Sequence, residues 1–127
     1  MSGSVKRVLL VEDDRFLRRA CEASLQQRGF DVRTATDGEE GLALATSQRF
    51  DIILLDLLMP KKPGIEVLAA LKSNASTARI PVLILSNSSR EEDKRRAAEL
   101  GADGYYVKAN LSLKALGDEV GRLVGKT

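Results

Sequence analysis

Four groups of polar residues follow apolar runs, and their types are suited to phosphoryl chemistry. They are the acids at positions 12–14, Asp56, Ser86 and Lys108. Clustered carboxylates without His or Cys suit a hard cation that prefers oxygen ligands, above all Mg²⁺. A carboxylate can also attack phosphorus and form an aspartyl-phosphate. A metal ion, an amine and a hydroxyl are the groups needed to neutralise the oxygens of a transferring phosphoryl group.

The apolar runs that precede these residues alternate with helical patterns. They cover residues 8–11, 32–36, 52–55, 82–85 and 105–107. Three of the runs are almost wholly aliphatic, which is typical of parallel strands covered on both faces. Five strands alternating with five helices predict an α/β domain with a doubly wound parallel sheet. Ligands bind beyond the carboxyl ends of such strands, which is where the four polar groups fall.

Helix capping offers a simpler explanation for some of these acids. It explains Asp14 well and competes for Asp13, but it explains Asp56 poorly because a turn is predicted after that residue. Taken alone, Ser86 fits a turn and Lys108 fits a surface amine. Acids, a hydroxyl and an amine at successive strand ends are nevertheless hard to obtain together by chance.

The predicted helix ends rest on capping residues. Asp37 is expected to cap the second helix, and Ser88 or Ser89 is expected to cap the fourth, over residues 90–100. This fourth helix offers few apolar side chains, so we expect it to be the most weakly docked. Asn110 is expected to cap the last helix.

Composition excludes several classes of protein. The chain has 127 residues, which predicts one domain. It contains no His, which removes His-based catalytic triads and metal sites, and its single Cys21 excludes an internal disulfide. A net charge of +2 gives no reason to expect nucleic acid as a partner. No apolar stretch is long enough for a membrane span, so a cytoplasmic location is expected, and the lone thiol suits a reducing compartment.

Four motifs in order resemble the receiver domain of response regulators in two-component signalling. They are Val11-Glu12-Asp13-Asp14, residues 54–60 with Gly64, Ile84-Leu85-Ser86, and residues 104–108. The resemblance implies a single receiver domain over residues 1–127, with a core of about residues 5–124. It also implies a five-stranded (βα)5 flavodoxin-like fold with the strand order 2-1-3-4-5.

The resemblance further implies a phosphoacceptor and a metal site. Asp56 stands where the family accepts the phosphoryl group. Glu12, Asp13, Asp56 and the backbone carbonyl of Leu58 are expected to hold Mg²⁺, for which Mn²⁺ can substitute. Asp13 is expected to bind the ion directly and Glu12 through water.

The remaining site residues follow from the same motifs. Ser86, Lys108 and Asn87 are expected to bind the phosphoryl group. Ser86 and Tyr105 are expected to form the switch, in which the aromatic ring rotates inward when the hydroxyl moves.

Partners and departures from the family pattern complete these expectations. A histidine kinase or a histidine phosphotransfer protein is expected to supply the phosphoryl group, so the chain is a signalling domain and not a classical enzyme. A downstream protein or a second copy is expected on the fourth helix, fifth strand and fifth helix. Neither nucleic acid nor a membrane is expected as a partner, and no output domain is expected in this chain. Ala109 replaces the usual proline after Lys108, so the bond between them is expected to be trans.

Two alternatives stay open on the sequence. A pseudo-receiver would keep the fold as an interaction module without being phosphorylated, and the altered step after Lys108 is compatible with it. A haloacid-dehalogenase-like phosphohydrolase would need a second acid two residues after Asp56, where Leu58 stands instead.

Overall fold

A computed structural model of the chain describes residues 5–59 and 61–125 as one parallel sheet with helices on both faces. The strands are β1 (Arg7–Val11), β2 (Asp31–Ala35), β3 (Ile52–Asp56), β4 (Val82–Ser86) and β5 (Gly104–Val107). The helices are α1 (Arg15–Gln27), α2 (Gly38–Ser47), α3 (Gly64–Ser73), α4 (Glu91–Glu99) and α5 (Leu113–Val124). Pro60, which belongs to one of the four motifs, lies outside the described residues.

The strand order is β2-β1-β3-β4-β5, and every neighbouring pair is parallel. This arrangement confirms the predicted doubly wound fold and its order. The second strand ends at Ala35, one residue earlier than predicted, because Thr36 bonds to a side chain of α2 and not to a neighbouring strand. Its backbone N–H donates to Glu40 Oε1 at 2.7 Å, a contact that belongs to the start of the helix.

Alternate side chains of the strands build two separate halves of the core. Val8 and Leu10 pack in the half beneath α1 and α5, whereas Leu9 and Val11 pack in the half beneath α2, α3 and α4. All five residues of β3 and of β4 are buried, as the continuous aliphatic runs predicted. The two central strands are therefore rigid supports for the residues at their carboxyl ends.

Two of the predicted caps are confirmed. Asp14 Oδ1 accepts from the N–H of Leu17 at 3.0 Å and begins α1. Asp37 Oδ1 accepts from the N–H of Glu40 at 2.8 Å and begins α2. Both carboxylates satisfy backbone donors that the first turn of a helix leaves without partners.

The predicted caps of α4 and α5 are wrong. The N-cap residue of α4 is Arg90, without a side-chain cap, and Ser88 lies two residues before it. The N-cap of α5 is Ser112, whose Oγ accepts from the N–H of Ala115 at 3.1 Å. Asn110 instead ends a 3₁₀ turn that directly follows β5, so α5 begins only at Leu113.

The docking of α4 is as weak as its sequence predicted. Ala97 is its only buried residue, whereas α3 buries Gly64, Val67, Leu68 and Leu71. Little apolar area therefore holds α4 against the sheet.

Within the part of the chain that the structure describes, no helix has the length and hydropathy needed to cross a bilayer.

Candidate functional site

The carboxyl ends of four strands bring the predicted acids, hydroxyl and amine to one edge of the sheet. Glu12 directly follows β1, Asp56 ends β3, Ser86 ends β4, and Lys108 directly follows β5. The strands that carry Asp56 and Ser86 are adjacent and in register, since Asp56 pairs with Leu85 of β4. The parallel topology alone thus explains why residues far apart in sequence meet here.

Lys108 is the centre of the charged contacts at this edge. Its Nζ donates to Glu12 Oε2 at 2.9 Å. The same nitrogen lies 3.1 Å from Asp56 Oδ2, as an ion pair without the angles of a hydrogen bond. The side chains of Glu12 and Asp56 are 0% and 2% exposed, and that of Lys108 is 12% exposed. One buried ammonium group therefore serves two buried carboxylates.

A third carboxylate, that of Asp13, joins the cluster from the solvent side. Glu12, Asp13 and Asp56 each offer a carboxylate oxygen, and these oxygens lie within 4.8 Å of one another. Among the described residues, Glu12 Oε1 and Asp56 Oδ2 find no hydrogen-bond partner although both atoms are buried. Three carboxylates facing one ammonium group leave an excess of negative charge. This set of oxygen donors fits a hard divalent cation such as Mg²⁺ or Mn²⁺.

The electrostatics of the cluster show the cost of bringing these acids together. The pKa of Asp56 is raised to about 7, mainly by burial and then by the negative charge of Glu12 and the contact with the Asp13 carboxyl group. The N–H of Leu58 and the ammonium group of Lys108 oppose this rise. Burial also disfavours the charge on Lys108, but its pairing with Glu12 and Asp56 outweighs burial and raises its pKa. Lys108 therefore stays charged, whereas ionised Asp56 needs further positive charge.

The turn after β3 is built closely around Asp56. The N–H of Leu58 donates to Asp56 Oδ1 at 3.1 Å, and the Leu58 side chain is 66% exposed. A Cβ at Gly64 would lie 2.2 Å from the carbonyl oxygen of Asp56, so only glycine lets α3 begin this close. Lys61, within the same turn, has a φ of 73°. Such a φ is costly for a residue with a side chain.

Ser86 and Tyr105 are both linked to Ser88. Ser86 is 1% exposed, and its Oγ accepts from the N–H of Ser88 at 3.0 Å. The hydroxyl of Tyr105 donates to the carbonyl oxygen of Ser88 at 2.9 Å. Asn87, in contrast, is exposed, and no hydrogen bond of its side chain is found within the described residues. The structure therefore brings Ser86 and Tyr105 into one network and leaves Asn87 outside it.

Two further residues support the site and were not expected from the sequence. The guanidinium of Arg18 donates to the carbonyl oxygens of Glu12 and Asp13, at 3.0 and 3.3 Å, and so fixes the acidic turn. Cys21 is buried close to the charges of Glu12 and Lys108, and burial is the main reason that its pKa rises to about 11. The position of Arg18, one turn after the start of α1, was the signal in the sequence for its role. Cys21 is an unreactive core residue, because its buried thiol does not readily lose its proton.

The bond between Lys108 and Ala109 is trans, as expected without proline. The 3₁₀ turn of Lys108–Asn110 begins at Lys108 itself. The backbone therefore aims the Lys108 amine at Asp56 without the cis bond that proline would allow.

Comparison with known proteins agrees with this geometry. Residues 8–118 match the family described as the response regulator receiver domain. The gliding motility regulatory protein of Myxococcus xanthus is 42% identical over 117 residues, which is 92% of this chain and 15% of that protein. The cell cycle response regulator CtrA of Brucella ovis is 44% identical over 102 residues, which is 80% of this chain and 43% of that protein. The chain thus spans less than half the length of these two relatives.

Solved structures show the same architecture. Chemotaxis response regulator CheY4 of Vibrio cholerae has a TM-score of 0.87 and 32% identity, over 94% of this chain and 99% of that one. The Mn²⁺-bound form of response regulator Rcp1 has a TM-score of 0.85 and 30% identity, over 96% of both chains. The sheet order, the edge that gathers the acids and these matches lead to one conclusion: the chain belongs to the family of response-regulator receiver domains.

Proposed function

We propose that the chain accepts a phosphoryl group on Asp56 from a histidine kinase or a histidine phosphotransfer protein. The observation that carries this proposal is the setting of Asp56, which is buried between an acidic cluster and the Lys108 ammonium group. The carboxylates outnumber the Lys108 ammonium group, and a divalent cation would balance their excess negative charge and that of an incoming phosphoryl group. The pseudo-receiver alternative gives no reason to keep so costly a cluster.

The reaction that fits is an in-line transfer. A carboxylate oxygen of Asp56 attacks phosphorus, and the bond between phosphorus and the donor's histidine nitrogen breaks. That nitrogen leaves with the electron pair and stays on the donor, and the phosphoryl group remains as an acyl phosphate. The Lys108 ammonium group, 3.1 Å from Asp56 Oδ2, is placed to stabilise the charge on the phosphoryl oxygens.

The metal proposed for this site is Mg²⁺, with Mn²⁺ as a substitute. Glu12, Asp13 and Asp56 would hold it, together with the backbone carbonyl of Leu58. When bound, the ion would supply positive charge to the oxygens of the reacting phosphoryl group. The oxygen-only donor set supports this choice, and so does the Mn²⁺ bound to the related Rcp1.

The proposed output is a change in the surface formed by α4, β5 and α5. The Ser86 hydroxyl would turn from the N–H of Ser88 to the phosphoryl group, and Tyr105 would follow. A downstream protein or a second copy of the chain would bind the changed surface. Asn87 would contact the phosphoryl group only after a change in its exposed position. The proposed location is the cytoplasm, where histidine kinases present their phosphoryl groups.

The test is phosphorylation with acetyl phosphate and Mg²⁺, followed by mass spectrometry of the intact protein. The parent should gain one phosphoryl group, and Asp56→Asn should gain none. Asp51→Asn is the matched control, because Asp51 lies at the opposite end of β3 and should leave the adduct unchanged. A full adduct on Asp56→Asn would show that another residue is the acceptor, and no adduct on the parent would favour the pseudo-receiver.

A further inference from the structure

Arg18 holds the backbone of the turn that joins β1 to α1 and carries Glu12 and Asp13. Its Nη1 donates to the carbonyl oxygen of Glu12 at 3.0 Å and to that of Asp13 at 3.3 Å. Within the described residues, neither carbonyl accepts a hydrogen bond from a backbone N–H. Arg18 is therefore the protein donor found for both carbonyls, and it connects the acidic turn to the body of α1.

The side chains of this turn are held to different degrees. Glu12 Oε2 accepts from the Lys108 ammonium group and from the N–H of Asp14, both at 2.9 Å. The Asp13 carboxylate is exposed, and no N–H group that donates to it is found among the described residues. The direction in which the Asp13 carboxylate points therefore depends mainly on the backbone that carries it, and Arg18 fixes that backbone.

The charge of Arg18 is directed at neutral carbonyls, although three carboxylates lie nearby. Within the described part of the chain Arg18 makes no ion pair, whereas Lys108 pairs with both Glu12 and Asp56. The guanidinium thus leaves the carboxylate oxygens of Glu12, Asp13 and Asp56 available to a cation. Because the charge of Arg18 by itself repels a cation, any favourable contribution to cation binding has to come from the geometry of the turn.

We propose that Arg18 is a positioning residue of the metal site and acts on the bound ion through Asp13. The inference rests on the proposed function, since it assumes that Glu12, Asp13 and Asp56 hold Mg²⁺. By fixing the two carbonyls, Arg18 holds the Asp13 carboxylate toward Asp56 before the ion arrives, so less ordering is left for the binding step. Residues that orient metal ligands without touching the ion typically change metal affinity by about 10-fold to 100-fold.

The loss of Arg18 should affect Mg²⁺ binding in opposite directions through charge and through position. Arg18→Met keeps a long apolar stem but removes the positive charge, which by itself tightens Mg²⁺ binding by less than about threefold. The same change removes the donor to the two carbonyls, which weakens binding by more than this gain. The direction of the net change therefore separates a positioning role from a simple effect of charge.

The experiment is an NMR titration of the whole chain with Mg²⁺ at constant ionic strength. Arg18→Met should bind Mg²⁺ about tenfold more weakly than the parent. Arg18→Lys keeps the charge on a shorter side chain and should bind about threefold more weakly, because it cannot serve both carbonyls as well. This second variant decides the question if Arg18→Met does not fold.

Arg15→Met and Arg19→Met are the matched controls. Both remove an exposed cation from α1, and neither side chain makes a hydrogen bond or an ion pair within the residues that the structure describes. These changes remove charge without loosening the turn. Both variants should bind Mg²⁺ as tightly as the parent or slightly more tightly.

A double variant tests whether Arg18 acts through Asp13. In the Asp13→Asn background, the side chain that Arg18 positions no longer carries the charge of a metal ligand. Arg18→Met should then weaken Mg²⁺ binding by less than about threefold, instead of about tenfold. A purely structural role of Arg18 in α1 would give the same loss in both backgrounds.

A second measurement needs no metal. In native-state hydrogen exchange with chelator present, the amide of Asp14, which donates to Glu12 Oε2, should exchange at least threefold faster in Arg18→Met than in the parent. The turn opens more often because α1 no longer holds its carbonyls. The amides of α3 should keep their rates in the same spectra.

Several results would overturn the positioning role while the parent still binds Mg²⁺. They are unchanged or tighter binding by the Arg18 variants, an equal loss in either control variant, the same loss in the Asp13→Asn background, and an unchanged exchange rate of the Asp14 amide. A parent that binds no Mg²⁺ would instead overturn the metal site of the proposed function, and this inference with it.

Discussion

The close packing of buried carboxylates at the site destabilises their charged forms. Glu12 and Asp56 are buried beside each other with one ammonium group, that of Lys108, between them. Burial and like charge raise the pKa of Asp56 to about 7, which shows that its charge is disfavoured without a cation. The cluster therefore has an excess of negative charge that a bound divalent cation would balance.

The first prediction at this scale is that Asp56→Asn stabilises the metal-free protein. In chelator at pH 8, its free energy of unfolding should exceed that of the parent by about 1–3 kcal/mol, because an isosteric neutral group removes the clustered charge. Denaturant unfolding measures the difference. Mg²⁺ should stabilise the parent and so reduce the difference in unfolding free energy between the parent and Asp56→Asn.

Asp118→Asn is the control for this change. Asp118 is an exposed carboxylate of α5 that accepts hydrogen bonds from Arg28 and Lys114, so its neutralisation should give no gain. Equal stabilisation by both variants would mean that overall charge, and not the cluster, is responsible.

The second prediction compares the adjacent acids Asp13 and Asp14. Asp13→Asn should weaken Mg²⁺ binding at least tenfold, because it removes a charged ligand of the cluster, about 1.4 kcal/mol or more. Asp14→Asn should change it by less than about twofold, because Asp14 caps α1 and Asn caps equally well. Calorimetric titration with Mg²⁺ measures both. A larger loss in Asp14→Asn would contradict the assignment of the metal ligands.

The elements differ in how firmly they fix the residues that they carry. β3 and β4 are wholly buried and place Asp56 and Ser86 rigidly. The segment after β5 is set differently, since a 3₁₀ turn of Lys108–Asn110 comes before α5. The site therefore depends both on buried strands and on the local geometry of short turns.

The third prediction tests where α5 begins. Ser112→Ala should destabilise the protein by about 1 kcal/mol, because its Oγ accepts from the N–H of Ala115. Asn110→Ala should cost much less, because Asn110 is exposed and ends the 3₁₀ turn. Thermal or denaturant unfolding of the two variants gives the comparison. Equal losses, or a larger loss for Asn110→Ala, would show that α5 is capped elsewhere.

The whole molecule has one rigid sheet and helices attached to it with unequal strength. The two halves of the core meet across β3 and β4, and α3 is anchored by several buried residues. In α4 only Ala97 is buried. Regions with few buried apolar contacts open at lower free energy than the rest of a fold. The molecule is therefore most easily changed at α4, beside the proposed site.

The fourth prediction follows from this difference. In native-state hydrogen exchange, the amides of α4 should exchange at least tenfold faster than those of α3, after correction for intrinsic rates. The helices have similar lengths, so α3 is a matched internal reference. Equal protection of the two helices would show that α4 opens only with the whole domain.

The sequence by itself determined the fold and the membership of the site. Aliphatic runs that alternate with helical patterns specify a two-sided parallel sheet, and parallel strands all end at the same edge. Glu12, Asp56, Ser86 and Lys108 each stand at or just after a strand end, so their meeting follows from topology alone. Caps such as Asp14 were predictable because the bond is made within one turn of the same helix.

Only the tertiary structure decided which of the assembled groups bond to one another. Lys108 donates to Glu12 as well as facing Asp56, because three strands set the distances between these side chains. Ser88 does not cap α4: its hydroxyl donates to Asp93 and accepts from the N–H of Arg90, the N-cap residue. A sequence pattern specifies which face or end of an element a residue occupies. The choice among several nearby partners depends on distances of a few tenths of an ångström, and packing sets these distances.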